Sequence, residues 1–296
     1  MRAVVIGKSG QLARCLAESA PAGAELACLG RRELDIASAS PDFGALLSHR
    51  PDIIINAAAY TAVDKAESDR EAAFALNAHG AGRLALFAAA RKIPLIHIST
   101  DYVFDGGGLR PYVEDDAPAP VNAYGESKLE GERAVVRAQP ESIVLRTSWL
   151  FSAHGSNFVK TMLRLAGECE RLRIVADQFG CPTSAHALAQ CIGALAGRIA
   201  DAGGAFRLWG LYHYAGSGAT SWADFAQTIF ASPEARLAGM PAIDRVSTQD
   251  YPTPAIRPLH SVLDCAKIER VFDIHPAPWE AALTEVLVRL QGSARA

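Results

Sequence analysis

Metal-ligand spacings, long apolar runs and strong net charge are all missing from this 296-residue chain. Its six cysteines, Cys15, Cys28, Cys169, Cys181, Cys191 and Cys265, form no CxxC pair, and none stands at ligand spacing from a histidine. That excludes a zinc finger and a thioredoxin-type redox motif. Scattered thiols in a chain of this length read as reduced, hence a reducing compartment. No run approaches the ~20 uninterrupted apolar residues of a membrane span, and Met1-Arg-Ala-Val-Val-Ile-Gly7 reads as a strand rather than a secretory leader. The expectation is a cytoplasmic protein with no membrane partner. A formal charge of -3 gives no case for nucleic acid, although polyphosphate ligands need only local basic groups and helix N-termini. Internal repeats and low-complexity linkers are also absent.

What is present is core. Half the residues are hydrophobic, which excludes global disorder and allows one large α/β domain, or one domain and a smaller partner. The first half alternates strand and helix. Apolar runs at 3–6, 25–29, 53–55, 95–98 and 143–145 read as strands. Helices are expected over 12–20, around Leu46 and Leu47, over 67–91 as one long alanine-rich element, and over 124–138. Apolar strands between helices indicate a Rossmann-type, doubly wound parallel sheet covered on both faces, the fold class being α/β. The segment 106–120, rich in glycine, acid and proline, reads as a surface loop beside a strand's C-terminal end, where such folds bind ligands. Beyond 150 the pattern loosens: helices over 158–171, from Ser184 and over 279–290, a strand at 173–175, and a loop punctuated by Pro252, Pro254 and Pro258. The expected organisation is a dinucleotide domain over 1–150. A smaller, closely packed substrate-binding part over 151–296 follows, with some of its segments returning to the first domain.

Gly7-Lys-Ser-Gly-Gln-Leu-Ala13 follows the first strand and opens the first helix. There, Gly7 and Gly10 allow a tight turn and close approach of the backbone to a pyrophosphate, which the helix N-terminus stabilises. Ala13 stands where the third glycine of the usual fingerprint lies. After strand two the chain reads Gly30-Arg-Arg-Glu-Leu-Asp-Ile36. Arg31 can bind a ribose 2′-phosphate, favouring NADPH, or form a solvated pair with Arg32; Glu33 points the other way, towards NADH. Asp35 and Ile36 are placed to contact the adenine.

Tyr124 and Lys128 are four residues apart on a predicted helix, so both side chains share one face. An ammonium beside a phenol favours the phenolate and lowers its pKa, making the phenol a proton donor or acceptor near neutral pH. The pair alone is a weak signal. It stands shortly after Ser99-Thr100-Asp101-Tyr102, and that company raises it. Trp149 reads equally as a core aromatic or as a flat wall beside a substrate. Arg257, among prolines, reads as a diphosphate ligand or a loop salt bridge. Asn77 reads as a satisfied core amide, His97 as a packed histidine, and Asp64 and Glu67 as acids at a helix start.

Assembled, these residues resemble the extended short-chain dehydrogenase/reductase superfamily. More narrowly the chain is similar to the dTDP-4-dehydrorhamnose reductase family over nearly its whole length. The strings that carry this are Asn56-Ala-Ala-Ala-Tyr-Thr-Ala-Val-Asp-Lys-Ala-Glu67, Ser99-Thr-Asp-Tyr-Val-Phe104, Asn122-Ala-Tyr-Gly-Glu-Ser-Lys128, Arg146-Thr-Ser-Trp149, Asp177-Gln-Phe-Gly-Cys-Pro-Thr-Ser184 and Tyr251-Pro-Thr-Pro-Ala-Ile-Arg-Pro258. The resemblance implies catalysis by Thr100, Tyr124 and Lys128, with Lys128 also on the nicotinamide ribose. It implies cofactor contacts at Gly10, Gln11, Leu12, Asp35, Ile36, Ala58, Ala59 and Tyr60, and substrate contacts at Thr100, Asp101, Tyr124 and Trp149. The implied reaction is hydride transfer from NADPH, with NADH as the alternative, to the C4 ketone of a dTDP-linked 4-keto-6-deoxy sugar. Gly30 replaces an acid that some members carry, Tyr60 a usual histidine, and His260 a common asparagine. Other readings of the same fold are a different nucleotide-sugar reductase or epimerase, or a non-catalytic subunit like the methionine adenosyltransferase β subunit. A homodimer is compatible with the resemblance. The helix at 279–290 carries two glutamates and no metal cluster, so no metal is expected.

Overall fold

Valine, isoleucine and leucine dominate the five apolar runs, and β-branched side chains favour extended chain buried on both faces. They form β1 (Arg2–Ile6), β2 (Glu25–Leu29), β3 (Ile53–Asn56), β4 (Leu95–Thr100) and β5 (Ser142–Thr147). The computed structural model describes residues 1–20, 23–237 and 239–293, so the last three residues of the expected substrate part lie outside the described residues. Helices α1 (Gln11–Glu18), α2 (Gly44–Ser48), α3 (Val63–Ser68), α4 (Arg70–Phe74), α5 (Ala81–Ala90) and α6 (Ala123–Ala138) fill the first half. In the second half, α7 (Phe158–Ala166) precedes β6 (Arg171–Val175), α8 (Ala185–Ala202) precedes β7 (Gly210–His213), and α9 (Trp222–Ala231) precedes β8 (Ala242–Val246). The helices α10 (Ala266–Phe272) and α11 (Trp279–Ser293) close the described chain.

Six strands form one parallel sheet in the order β7-β5-β4-β3-β1-β2. One face buries Val5, Ile55, Ile96 and Leu145 under α1 and α8; the other buries Val4, Ile54, Leu95 and Val144 under α2, α5 and α6. A separate apolar cluster joins α7, α9 and α11 around Phe151, Phe225 and Trp279. The strand order reverses direction between β1 and β3, and ligands of such sheets bind outside the carboxyl ends of the strands at that reversal.

Two expectations change. The long helix expected over 67–91 is broken: α3 and α4 are separated at Asp69, and Ala75–Gly80 is a π-helical turn leading into α5. The turn faces Asn77 inward, where its amide accepts from the Tyr60 N–H at 2.7 Å and donates to the Tyr60 carbonyl at 3.1 Å and Ser127 Oγ at 2.9 Å. The helix expected over 158–171 ends at Ala166, and Arg171 already begins β6. The segment 106–120 is the expected surface loop, and part of it is packed down. Tyr112 stacks on Phe104 at 4.1 Å, and Glu114 accepts the His213 N–H at 2.9 Å.

Gly131 of α6 lies against the Asn77 carbonyl so closely that a Cβ has no room. Gly131→Ala is therefore expected to cost about 1–3 kcal/mol of stability through overpacking, read as a lower urea midpoint at unchanged slope. Wild-type stability in that variant would mean the helices are not held this close.

Candidate active site

The glycine turn needs its glycines. Gly7 has φ +113°, and a Cβ there would fall 2.9 Å from the Ala57 carbonyl carbon and from Ala58 N. Gly10 caps α1 with no side-chain hydrogen bond, leaving the helix's first N–H groups and its positive dipole end to face a ligand. Two cavities meet here. One, of about 600 Å³, is lined by Gly7, Lys8, Gly30, Arg31, Asp35, Ile36 and Ala58 to Tyr60. The other, of about 440 Å³, is lined by Gly10, Gln11, Leu12, Thr100, Asp101, Tyr124, Lys128 and Trp149. Both share Ser9, Gly10, Ala57, Ala58 and Ala59, so they form one trough crossing the β1–β3 reversal. Its bare backbone centre and two flanking lobes fit a dinucleotide, with phosphates over the glycine turn.

Within the trough several of the expected residues also have contacts of their own. Ile36 is 1 % exposed and packs in the core beneath the cavity that it borders. Arg31 extends into solvent and pairs with Asp35 at 2.9 Å. The Tyr60 hydroxyl donates to Asp69 at 2.9 Å.

At the far lobe, β4 ends at Thr100 and α6 begins at Ala123. Asn122 caps α6 by accepting the Gly125 N–H at 2.8 Å, and Glu67 accepts the Ala123 N–H at 2.8 Å. Glu67 thus serves the start of α6 across 56 residues, not its own helix. Gly125 sits against the Tyr102 carbonyl, which docks the first turn of α6 on the exit of β4. Thr100, Tyr124 and Lys128 are thereby brought to one cavity wall.

The electrostatics differ from the simple Tyr–Lys expectation. Burial pushes the Tyr124 phenol up to about 12; the neighbouring Thr100 hydroxyl pulls it down and the Asp101 charge adds to the rise. Lys128 is not among these causes. Burial lowers Lys128 itself to about 8, against the attraction of Glu132, and its Nζ donates to the Ile98 carbonyl at 2.6 Å. Tyr124 therefore carries its proton at neutral pH.

Asp101 also departs from expectation. Its carboxylate is 2 % exposed and turned inward, accepting from Ser261 Oγ at 2.6 Å, Ser148 Oγ at 2.9 Å and Thr100 Oγ1 at 3.0 Å. It orients Thr100 rather than facing the cavity as a free acid. Burial raises it to about 6 from an ordinary 3.8, against those three hydroxyl donors. The folded protein thus binds this proton more tightly than the unfolded chain. The corresponding stability is full below about pH 4 and lost as pH rises through about 6. Relative to Asp101→Asn, the wild-type melting temperature is expected to fall between those two pH values. A difference that does not change with pH would remove the carboxyl from this balance.

Trp149 is both core and wall. Its backbone is left-handed at φ +43°, its ring stacks on Trp222 at 3.5 Å, and a Cβ at Gly180 would fall 2.5 Å from it. One part of it packs on the α7–α9–α11 cluster while it also borders the cavity. Arg257 is occupied. Its Nη1 and Nη2 donate to Asp64 at 3.0 and 2.8 Å, and Nη1 also donates to Thr253 Oγ1 at 2.7 Å. Of the two readings of Arg257, the loop salt bridge is the one that forms without a ligand, and Asp64 is its partner rather than only a helix-start acid. His97 is fully buried beside Asn56, 3.1 Å from its amide, as a packed histidine.

Sequence reasoning missed Ser148 and Ser261, which complete the Asp101 cluster, and the buried pair of Glu132 and Arg146. Arg146 Nε and Nη2 donate to the two Glu132 oxygens at 2.8 and 2.7 Å. Glu132 lies one turn beyond Lys128, a spacing that was readable on α6.

The RmlD substrate binding domain family matches residues 1–291. The chain belongs to this family. A dTDP-4-dehydrorhamnose reductase of Sinorhizobium fredii is 46% identical over 280 residues, covering 95% of this chain and 94% of that protein. Among solved structures, a dTDP-4-dehydrorhamnose reductase of Clostridium acetobutylicum superposes with TM-score 0.90 at 34% identity, covering 98% of this chain and all of that one. One from Bacillus anthracis, in complex with NADP, gives 0.87 at 35% identity, with 97% and 99% covered. RmlD family membership agrees with the trough, and the fold is that of these reductases. Among the described residues no group of His, Cys, Asp or Glu is placed to hold a metal ion, and no helix is long and apolar enough to cross a membrane.

Proposed function

We propose that this chain reduces the C4 ketone of dTDP-4-dehydro-β-L-rhamnose to dTDP-β-L-rhamnose with NADPH, NADH serving as the alternative donor. The observation that carries the reading is the convergence of Thr100, Tyr124 and Lys128 at one end of a trough that begins at the glycine turn. The name and similarity of the S. fredii relative supply the substrate, and the B. anthracis complex supports NADPH.

A bound nicotinamide supplies hydride to the sugar carbonyl carbon. The protein's own groups manage the oxygen. Tyr124 delivers its phenolic proton to the developing alkoxide, and Lys128, on the same cavity wall, binds the ribose hydroxyls of the cofactor. Thr100 gives its one proton to Asp101 in this arrangement, and it donates to the substrate oxygen only after turning from Asp101. Trp149, backed by Trp222, walls the sugar.

Residues 1–150 form the cofactor unit and 151–296 most of the sugar-nucleotide part, with α8 and β7 returning to the sheet. The described cysteines are all free, which supports a cytoplasmic setting. The test supplies dTDP-glucose with its 4,6-dehydratase and 3,5-epimerase and follows cofactor oxidation. Oxidation dependent on this protein is expected. None with either cofactor would remove the assignment.

A further inference from the structure

The cations around the adenosine lobe already hold acids. Lys8 Nζ lies 3.0 Å from Glu33 Oε1, Arg31 Nε 2.9 Å from Asp35 Oδ2, and Lys65 Nζ 3.5 Å from Asp69. The Lys8–Glu33 pair differs from the others in what it joins. Lys8 is part of the glycine turn after β1, whereas Glu33 belongs to the turn after β2. Glu33 also accepts the Gly30 N–H at 3.0 Å through its second oxygen.

This fold-back lies tightly against residue 30, which has no side chain. A Cβ there would fall 3.1 Å from Glu33 Oε2 and 3.5 Å from Lys8 Cβ. A carboxylate from three residues later thus occupies the end of β2, the place where dinucleotide folds set an acid against the ribose hydroxyls. The side chains remain 57 % and 40 % exposed, so the contact is free to exchange.

We propose that Lys8 and Glu33 are an exchangeable pair that reads the 2′ substituent of the adenosine ribose. With a 2′-hydroxyl, the pair stays closed and Glu33 accepts from the hydroxyl. With a 2′-phosphate, Lys8 leaves Glu33 for the phosphate oxygens, and the displaced carboxylate swings into solvent. One site then takes both cofactors, and separating the pair sets the margin between them. Arg31 keeps its place beside the phosphate, but it too must leave an acid, Asp35. The proposal deepens the dinucleotide reading and rests on it.

The test uses ligands that undergo no reaction: adenosine 2′,5′-bisphosphate and 5′-AMP, titrated calorimetrically, with NADPH and NADH alongside. Lys8→Met is expected to lower the ratio of bisphosphate to AMP affinity by about tenfold or more. Glu33→Gln is expected to raise it by about threefold or more, because Lys8 is released and a like charge is removed. Equal weakening of both ligands by Lys8→Met would place Lys8 on the 5′-phosphate and overturn the proposal. An unchanged ratio in both variants would overturn it as well. Because the fragments carry no nicotinamide, a wrong sugar substrate leaves this outcome untouched, and the two failures are distinguishable.

Discussion

Tyr124→Phe is expected to lower kcat by about 10²–10⁴-fold while NADPH affinity stays within about twofold. Only the hydroxyl is lost. The ring remains to make its edge contact with Tyr102 at 5.8 Å, and Lys128 remains anchored on the Ile98 carbonyl. Without the phenol the alkoxide must find its proton from water or from Thr100, and Thr100 is turned to Asp101. Steady-state kinetics and a fluorescence titration with NADPH separate the two effects. A kcat within about tenfold of wild type would take the acid role away from Tyr124.

Glu132→Ala should produce the largest loss of stability, about 3–5 kcal/mol by chemical denaturation. Glu132 and Arg146 are 5 % and 2 % exposed, and their two hydrogen bonds satisfy each other where water has no access. Removing the acid strands a guanidinium between the Phe104 ring and His213. His213 gives no relief: burial and the neighbouring Arg146 hold it down to about 3, so it stays neutral. The double variant Glu132→Leu with Arg146→Met should recover most of the loss, since no unpaired charge is left buried. A single-variant cost under about 1 kcal/mol would mean the pair is wet and behaves as a surface contact.

The frame of the site was readable because its signals are local. The strand runs at 53–55 and 95–98, the glycine turn, and the four-residue spacing of Tyr124 and Lys128 each lie within one element. What escaped lies between elements. Ser261 meets Asp101 across 160 residues and Arg257 meets Asp64 across 193, so neither partner could be chosen from sequence. The π-helical turn at Ala75–Gly80 lies in an alanine-rich stretch that favours a continuous helix; only the packing of Asn77 against Tyr60 and Ser127 selects the bulge. The strand β7 escaped because an edge position with a half-exposed start leaves little apolar pattern to see. The Tyr–Lys pairing was read correctly as shared geometry and wrongly as a lowered phenol pKa. Burial, which the spacing does not report, dominates there.

The central claim is that hydride passes from the nicotinamide to C4 of the sugar. It is tested most directly with NADPH deuterated at the transferring position, incubated with the dTDP-4-dehydro sugar, the product being read by NMR and mass spectrometry. The account predicts deuterium at sugar C4, with one cofactor oxidised for each product formed. Product formed without deuterium and without net cofactor oxidation, as in an epimerase that recycles a bound dinucleotide, would contradict it.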